Sequence, residues 1–556
     1  MFKTLSLKFG RALDLSPETI QTTPVTVFVG PNNSGKSKIL SEIYQFCTTG
    51  QRNVSNILVD QIEFESFSRE YAEQRIQRVT LRPNAHETIQ PEQLIVGKQG
   101  QRHQVPKQQL IDSFLKTNAQ AEYFCPWYLA YNTLILDGQN RISLINEQSA
   151  GDLQESPLTS FQTLFHDNQK REIVRRIVHD AFGEFLVIDP TNLGRLRLRL
   201  SPNEPTSVSQ EKGIDDESVK FHNAAQLIQY ASDGVKAFSG IITEIVAGDP
   251  AILLIDEPEA FLHPALSFNL GKEIALSGSG SEKRLFVSTH SPNFVMGCVQ
   301  SGAPINIVRL TYRDNVATAR LLASEELLTL MRNPLLRSTG VLSGLFYEFV
   351  IVTEGDADRA FYQEVNERLL RFKPEWGIPN CLFLNAQNKQ TVQTILKPLR
   401  NLGIPAAAIV DIDIFKDGGQ NWKAFLEGGF VPELERNSLA ALRSNVKIKF
   451  DATRKDMKLE GGLELLDEND KEAATNLCER LGEYGLFIVR EGELESWLPD
   501  LQATGHGPTW LVDVFQKMGE DHVKNSYLRP GIDDVWLFLA EIKQWFSNPN
   551  RKGIPS

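Results

Sequence analysis

Residues 30–37 read Gly30-Pro31-Asn32-Asn33-Ser34-Gly35-Lys36-Ser37, a complete GxxxxGK[ST] loop. A β-branched run, PVTVFV at 24–29, precedes it, and a helical pattern, KILSEIYQF at 38–46, comes after it. Strand, glycine-rich loop and helix in that order make an anion site, because loop N–H groups and the positive end of a helix face the same point. The backbone of Gly30, Asn32, Asn33, Ser34 and Gly35 is expected to cradle the phosphates of ATP. Lys36 is expected to reach the β- and γ-phosphates and Ser37 to ligate Mg²⁺.

The second half of such a site lies downstream. Ala251-Ile252-Leu253-Leu254-Ile255-Asp256-Glu257-Pro258 is an apolar strand ending in two carboxylates. Asp256 is placed to hold the Mg²⁺ shell, and Glu257 to polarise an attacking water. His290 ends a later strand, in Ser288-Thr289-His290-Ser291. Tyr230-Ala231-Ser232-Asp233-Gly234 opens a helix shortly before the acidic strand. The Ser232 hydroxyl and Gly234 backbone could bind a γ-phosphate across a dimer interface.

In this order Gly30–Ser37, Ser232–Gly234, Asp256-Glu257 and His290 resemble the ABC ATPase superfamily, in which His290 would be the switch histidine. The DEPEAFLHP run at 256–264, with Glu259 and His263-Pro264, is similar to the RecF, SMC and OLD branch, which acts on DNA or DNA ends. Ala231 and Asp233 stand where the family's signature commonly has Leu and Gly. Gln148 is the glutamine-loop candidate. The resemblance implies a homo-oligomer of at least two chains, since one subunit's signature completes the other's site.

A new βα pattern begins near residue 347. Phe349-Val-Ile-Val-Thr-Glu354-Gly355-Asp356-Ala357-Asp358 is a strand entering a helix, and Glu354 and Asp358, spaced i and i+4, share a face if the helix starts at once. Ala406-Ala-Ala-Ile-Val-Asp411-Ile412-Asp413 is a buried strand ending in D-x-D, with both aspartates expected on one side. A third acidic cluster, Glu491-Gly492-Glu493-Leu494-Glu495, comes after the strand at 486–489. Parallel strands of one sheet would gather these groups at their C-terminal ends. Clustered carboxylates repel unless a cation neutralises them, and hard oxygen donors suit Mg²⁺ or Mn²⁺. Two such ions can serve phosphodiester cleavage.

The pattern looks like the TOPRIM fold of topoisomerases, primases and OLD (overcoming lysogenization defect) family nucleases. With the ABC head, the OLD resemblance spans nearly the whole chain. It implies an ATP-regulated, metal-dependent DNA endonuclease, often serving bacterial defence against phage. It assigns metal ligation to Glu354, Asp358, Asp411, Asp413 and Glu495. It also implies a lysine acting on the phosphate or leaving group, with Lys524 the candidate and Lys517 the alternative. Similar chains act alone, with a helicase-like partner, or in retron systems. The competing reading is a RecF- or SMC-like sensor ATPase whose C-terminal sheet binds nucleic acid without cutting it.

The remainder of the chain agrees with a two-part α/β protein. At roughly 100–200 residues per domain, 556 residues suit two or three domains. The expected division is an ABC-type P-loop ATPase over 1–325, with inserted segments at about 48–200, a connector at 326–346, and a TOPRIM domain, a Rossmann-like parallel sheet, over 347–556. A net charge of −12 gives no general support for DNA binding, so that argument must come from a site. Five scattered cysteines without CxxC suggest neither zinc nor a disulfide framework. With no apolar leader and no run of ~18 apolar residues, the expectation is a cytoplasmic protein without a membrane partner. Arg195-Leu-Arg-Leu-Arg-Leu200 alternates strictly, as a solvated strand or a phosphate-facing patch. Residues 203–218 read as a surface loop, and 277–282 as a turn between strands.

Overall fold

The run before the glycine-rich loop forms β1 (Val25–Val29), all five residues buried. Such continuous apolar strands belong in parallel sheets covered on both faces. A computed structural model describes residues 2–12, 15–84, 87–98, 101–138, 140–313, 316–338 and 340–555. The chain divides into two units, Met1–Leu328 and Thr329–Ser556.

In the first unit β1 leads through the loop into α1 (Lys36–Thr49). Next come β2 (Thr133–Leu136), α2 (Asp233–Val246), β3 (Ile252–Asp256), α3 (Pro264–Ser279), β4 (Arg284–Ser288), β5 (Ile305–Arg313) and β6 (Val316–Leu322). The sheet order is β6-β5-β1-β4-β3-β2. All neighbours are parallel except the β5–β6 hairpin. The acidic strand and the strand ending at Ser288 pair in register, Asp256 opposite Ser288. β4 also pairs with β1, which brings both strand ends beside the phosphate loop. A small antiparallel sheet of Phe2–Leu7, Thr19–Gln21 and Val59–Phe64 lies alongside.

Three local readings change. The Arg195–Ser201 strand buries Leu196, Leu198 and Leu200, as alternation requires. Of its basic face only Arg195 stays exposed, 3.9 Å from Glu147. Arg197 and Arg199 reach the fully buried Asp189 at 2.8 and 2.6 Å, so the carboxylate of the neighbouring strand neutralises them. The 203–218 stretch holds two helices, Val208–Lys212 and Asp216–Ala224, capped by Ser207 and Asp215. Glu211 inside it is 1% exposed and pairs with Arg171 at 2.9 Å and Arg175 at 2.6 Å. A polar sequence conceals this buried ion cluster. The helix α3 runs through Ser277-Gly278-Ser279, so the chain turns only after Ser279, later than the glycine and serine content predicts.

The second unit is a four-stranded, wholly parallel sheet: β7 (Phe349–Thr353), β8 (Cys381–Asn385), β9 (Ala406–Asp411) and β10 (Leu486–Val489), in the order β8-β7-β9-β10. The helix α4 (Asp356–Phe372) comes after β7, α5 (Val392–Asn401) after β8, and the long α6 (Glu433–Thr453) lies between β9 and β10. Trp497 and Tyr362, both buried, pair through an indole N–H donating to the phenol at 2.9 Å. Arg400 at the end of α5 is wholly buried and, among the described residues, has no acidic partner. Its guanidinium instead donates to the carbonyls of Ala406, Gly429, Tyr484 and Gly553, at 2.7 to 3.0 Å. Arg400→Ala would strand several buried acceptors at once, each worth about 1–3 kcal/mol. The expected loss is about 3 kcal/mol or more, read by chemical denaturation.

Among the described residues, no helix is long and apolar enough to cross a membrane.

Candidate active sites

The glycine-rich loop closes on itself. Gly30 has φ +150, and a Cβ there would lie 2.1 Å from the Leu310 carbonyl oxygen of β5, so only glycine fits. Asn33 and Gly35 also take positive φ, and Gly35 caps α1. Lys36 is 4% exposed, and its ammonium donates to the carbonyls of Gly30 at 2.8 Å and Pro31 at 2.7 Å. Burial pulls its pKa down to about 8, against the upward pull of Glu257, Asp256 and Glu259. An arriving phosphate would add counter-charge to this desolvated ammonium. Ser37 Oγ donates to Asp256 Oδ1 at 3.0 Å, and Ser288 Oγ donates to the same oxygen. Hydroxyl and carboxylate thus stand side by side, a hard-oxygen pair that suits Mg²⁺.

Glu257 comes directly after β3 with φ +50, and its N–H donates to the Ser288 carbonyl at 2.9 Å. Its carboxylate stands 3.3 Å from His290 Nε2. Burial, then the Lys36 ammonium, lowers the His290 pKa, against the upward pull of Glu257 and Asp256. Glu259 accepts from the Thr289 hydroxyl and the His290 N–H, both at 2.8 Å, and fixes that strand end. Arg141 escapes any sequence reading. Buried at 3% exposure, it donates to the Asp256 carbonyl at 3.2 Å and to that of Glu257, tying the catalytic-looking turn to the segment after β2. No motif surrounds it, so only the fold reveals it.

Ser232 is the exposed N-cap residue of α2, and Gly234 is buried in its first turn. Gln148 pairs in a short strand with Leu196, and its amide oxygen accepts from the Phe161 N–H at 3.3 Å. These contacts tie its side chain to the inserted segment rather than to the phosphate loop.

At the C-terminal ends of the second sheet, Glu354 Oε1 accepts the Asp411 N–H at 2.9 Å. Gly355 rather than Glu354 caps α4, and the Gly355 N–H donates to Asp358 at 3.0 Å. The shared face expected from i, i+4 spacing is therefore a strand end plus a helix start. Burial, then Asp411, raises both carboxyls: Glu354 up to about 8 and Asp358 up to about 7. The D-x-D does not continue as a strand. β9 ends at Asp411, and Asp413 lies in a 3₁₀ turn, Ile412–Lys416, where Lys389 holds it at 2.9 Å. One Asp413 oxygen is buried without a hydrogen bond. In the third acidic cluster Glu493 is 6% exposed, with one buried oxygen lacking a hydrogen bond. Glu495 turns to His506 at 2.5 Å and the Gly507 N–H at 2.6 Å, while its charge is still felt at Asp358 and Asp411.

The lysine at this site is neither sequence candidate. Lys524 is exposed, 4.0 Å from Asp521, and Lys517 binds Asp513 and the Gln502 carbonyl. Lys458 instead places its ammonium 2.8 Å from Asp411 and 3.6 Å from Glu493. It lies after α6, outside every motif. Gly492, at φ +128, leaves room for the Lys458 carbonyl, which would sit 2.3 Å from a Cβ there.

Among the described residues, no three Asp, Glu, His or Cys side chains already converge on one ion position. The donor chemistry nevertheless fits a divalent cation: buried carboxyls forced up by burial and one another, and buried carboxylate oxygens without hydrogen bonds on Asp413 and Glu493. This arrangement fixes the sign of a pH effect. Carboxyls near 4 when unfolded and higher when folded make the folded state bind more protons between those values. Stability without a divalent cation is expected to fall as pH rises from about 4 to about 8. Added Mg²⁺ should raise the melting temperature more at about pH 8 than at about pH 5.5, as thermal-shift measurements would show.

Two family models match. One, described as "AAA domain, putative AbiEii toxin, Type IV TA system", covers residues 157–296, including Ser232, Asp256, Glu257 and His290. The other, "Overcoming lysogenization defect protein-like, TOPRIM domain", covers residues 345–413, including Glu354, Asp358, Asp411 and Asp413. No curated protein matches. Solved structures that align include an Smc head bound to the C-terminal winged-helix domain of ScpA, at 17% identity and TM-score 0.33, covering 59% of this chain and 99% of that one. The SMC head domain from Thermotoga maritima aligns at 15% identity and TM-score 0.29, over 58% of this chain and 99% of that one. An Smc head from Pyrococcus furiosus aligns at 15% identity and TM-score 0.31, over 60% and 98%. The chain thus carries an AAA-type ATPase domain over 157–296, with an OLD-like TOPRIM domain after it over 345–413.

Proposed function

We propose that this protein is an ATP-hydrolysing, divalent-metal-dependent DNA endonuclease of OLD type, serving as an effector of bacterial defence against phage. The observation that carries the reading is the carboxylate assembly of Glu354, Asp358, Asp411, Asp413 and Glu493 at the C-terminal end of a parallel sheet, with Lys458 among them. A module that only binds nucleic acid gains nothing from burying acidic groups against one another.

Glu354, Asp358, Asp411 and Asp413 would hold the cation, with Glu493 or Glu495 completing the set. A divalent cation bound there supplies Lewis acidity toward a phosphodiester. The Glu354 carboxylate positions the Asp411 backbone through its N–H contact, and Lys389 orients Asp413. Lys458, already charged and 2.8 Å from Asp411, is placed to bind a non-bridging phosphate oxygen and to stabilise negative charge on the leaving oxygen. In the other unit, Ser37 and Asp256 would hold Mg²⁺, Lys36 would bind phosphate, and Glu257 would polarise water with His290 as its neighbour. Ser232 and Gly234 complete the site of a second subunit, so the working form is a homo-oligomer.

The test is cleavage of supercoiled plasmid by the full chain with Mg²⁺ or Mn²⁺, with and without ATP. Divalent-dependent nicking or linearisation, abolished by EDTA, is expected. Binding without cutting under all these conditions would favour the RecF- or SMC-like reading.

A further inference from the structure

We infer that the segment Arg454-Lys455-Asp456-Met457-Lys458 is the arm that seats the phosphodiester backbone of a DNA duplex against the carboxylates, with Arg454 and Lys455 gripping the phosphates that flank the one Lys458 reaches. The inference rests on the nuclease reading and names the residues that bring the substrate in.

The physical problem is charge. The chain carries −12, and the site itself gathers carboxylates. A polyanion approaches such a site only if local cations outweigh them. Most of the neighbouring cations are spent. Lys389 is taken by Asp413, Lys416 by Asp456 at 3.3 Å, and Arg490 by Glu541 at 3.3 Å. Arg454 and Lys455 are exposed, and among the described residues neither side chain has an ion pair or hydrogen bond. They are the cations available to an incoming phosphate next to Lys458.

The segment is also built to hold its position. Arg454, at φ +58, ends α6 and turns the chain sharply. Asp456 accepts the Lys458 N–H at 2.8 Å, and its own N–H donates to Glu460 at 2.9 Å. Met457 is buried at 2% exposure, and its carbonyl accepts the Gly462 N–H at 3.1 Å. The Leu463 N–H then donates to the Arg490 carbonyl at 2.9 Å, and the Gly492 carbonyl accepts the Ile412 N–H at 3.1 Å, inside the D-x-D. Hydrogen bonds thus connect the arm through residues 490–492 to the metal-binding turn. The backbone that carries the two free cations is thereby tied to the segment that bears the carboxylates, as phosphate-positioning residues need.

The experiment uses the full chain and a fluorescein-labelled DNA duplex, with Ca²⁺ replacing Mg²⁺ for binding and Mg²⁺ for cutting. Anisotropy is read across about 50 to 200 mM salt. Each phosphate contact adds about 0.9 to the slope of log K against log salt, so R454A/K455A should lower the slope by about 2 and raise Kd and KM. R454K/K455R keeps both charges and should recover the wild-type slope. K458A should lower kcat at saturating DNA, a split from the double variant's effect on KM. A slope and Kd for R454A/K455A equal to wild type would overturn the assignment. A wild-type protein that binds the duplex but never cuts it removes the nuclease reading instead, and the slope difference still decides the arm.

Discussion

Asp411→Asn is expected to reduce divalent-dependent DNA cleavage by on the order of 10³-fold or more, while ATP hydrolysis persists. The substitution keeps the shape of the side chain and removes its charge. Asp411 is the junction of the site: its N–H binds Glu354 and its carboxylate binds Lys458. Losing an outer-shell partner of a metal typically costs about 10–100-fold in affinity or activity, and losing an anionic ligand should cost more. The phosphate loop belongs to the other sheet and is built from other residues, so ATP turnover is expected to continue in the variant. Plasmid cleavage and phosphate release, measured on the same preparation, make the comparison. Cleavage by Asp411→Asn at the wild-type rate would sink the nuclease assignment and leave the DNA-binding sensor in its place.

Glu257→Gln should have the complementary effect. ATP turnover is expected to fall by about 10²–10⁴-fold, the contribution typical of a positioned general base, with nucleotide binding retained. The amide cannot accept a proton from water, yet the turn survives, because it is held by the Glu257 N–H on Ser288 and by Arg141 on the carbonyls of Asp256 and Glu257. Calorimetry separates this variant from Lys36→Ala, which removes a charge-assisted phosphate contact and should lose binding itself. If one subunit's Ser232 and Gly234 complete the other's site, ATP held by Glu257→Gln should shift the protein toward a dimer. Light scattering with and without ATP reads that shift. Undiminished turnover in Glu257→Gln would remove Glu257 from the role of base.

The motifs of both sets could be read from sequence because each motif is contiguous, though the set it belongs to is not. A phosphate loop needs its glycines and lysine within eight positions, and an acidic strand end carries its ligand where the strand stops. The fold class came from the same stretches, since buried apolar strands alternating with helices imply parallel sheets. Tertiary structure decided which side chains answer those charges. Lys458 reaches Asp411 from a segment beyond α6, and Arg141 reaches the end of β3 from more than a hundred residues upstream, with no local pattern to mark either. Asp189 converts an apparently free basic strand into a buried ion cluster, and Glu211 turns a polar stretch into packed helices. The common reason is that a charge's partner is chosen by proximity in the folded chain and by the cost of leaving it alone in a low-dielectric interior, and neither is written in the residues beside it.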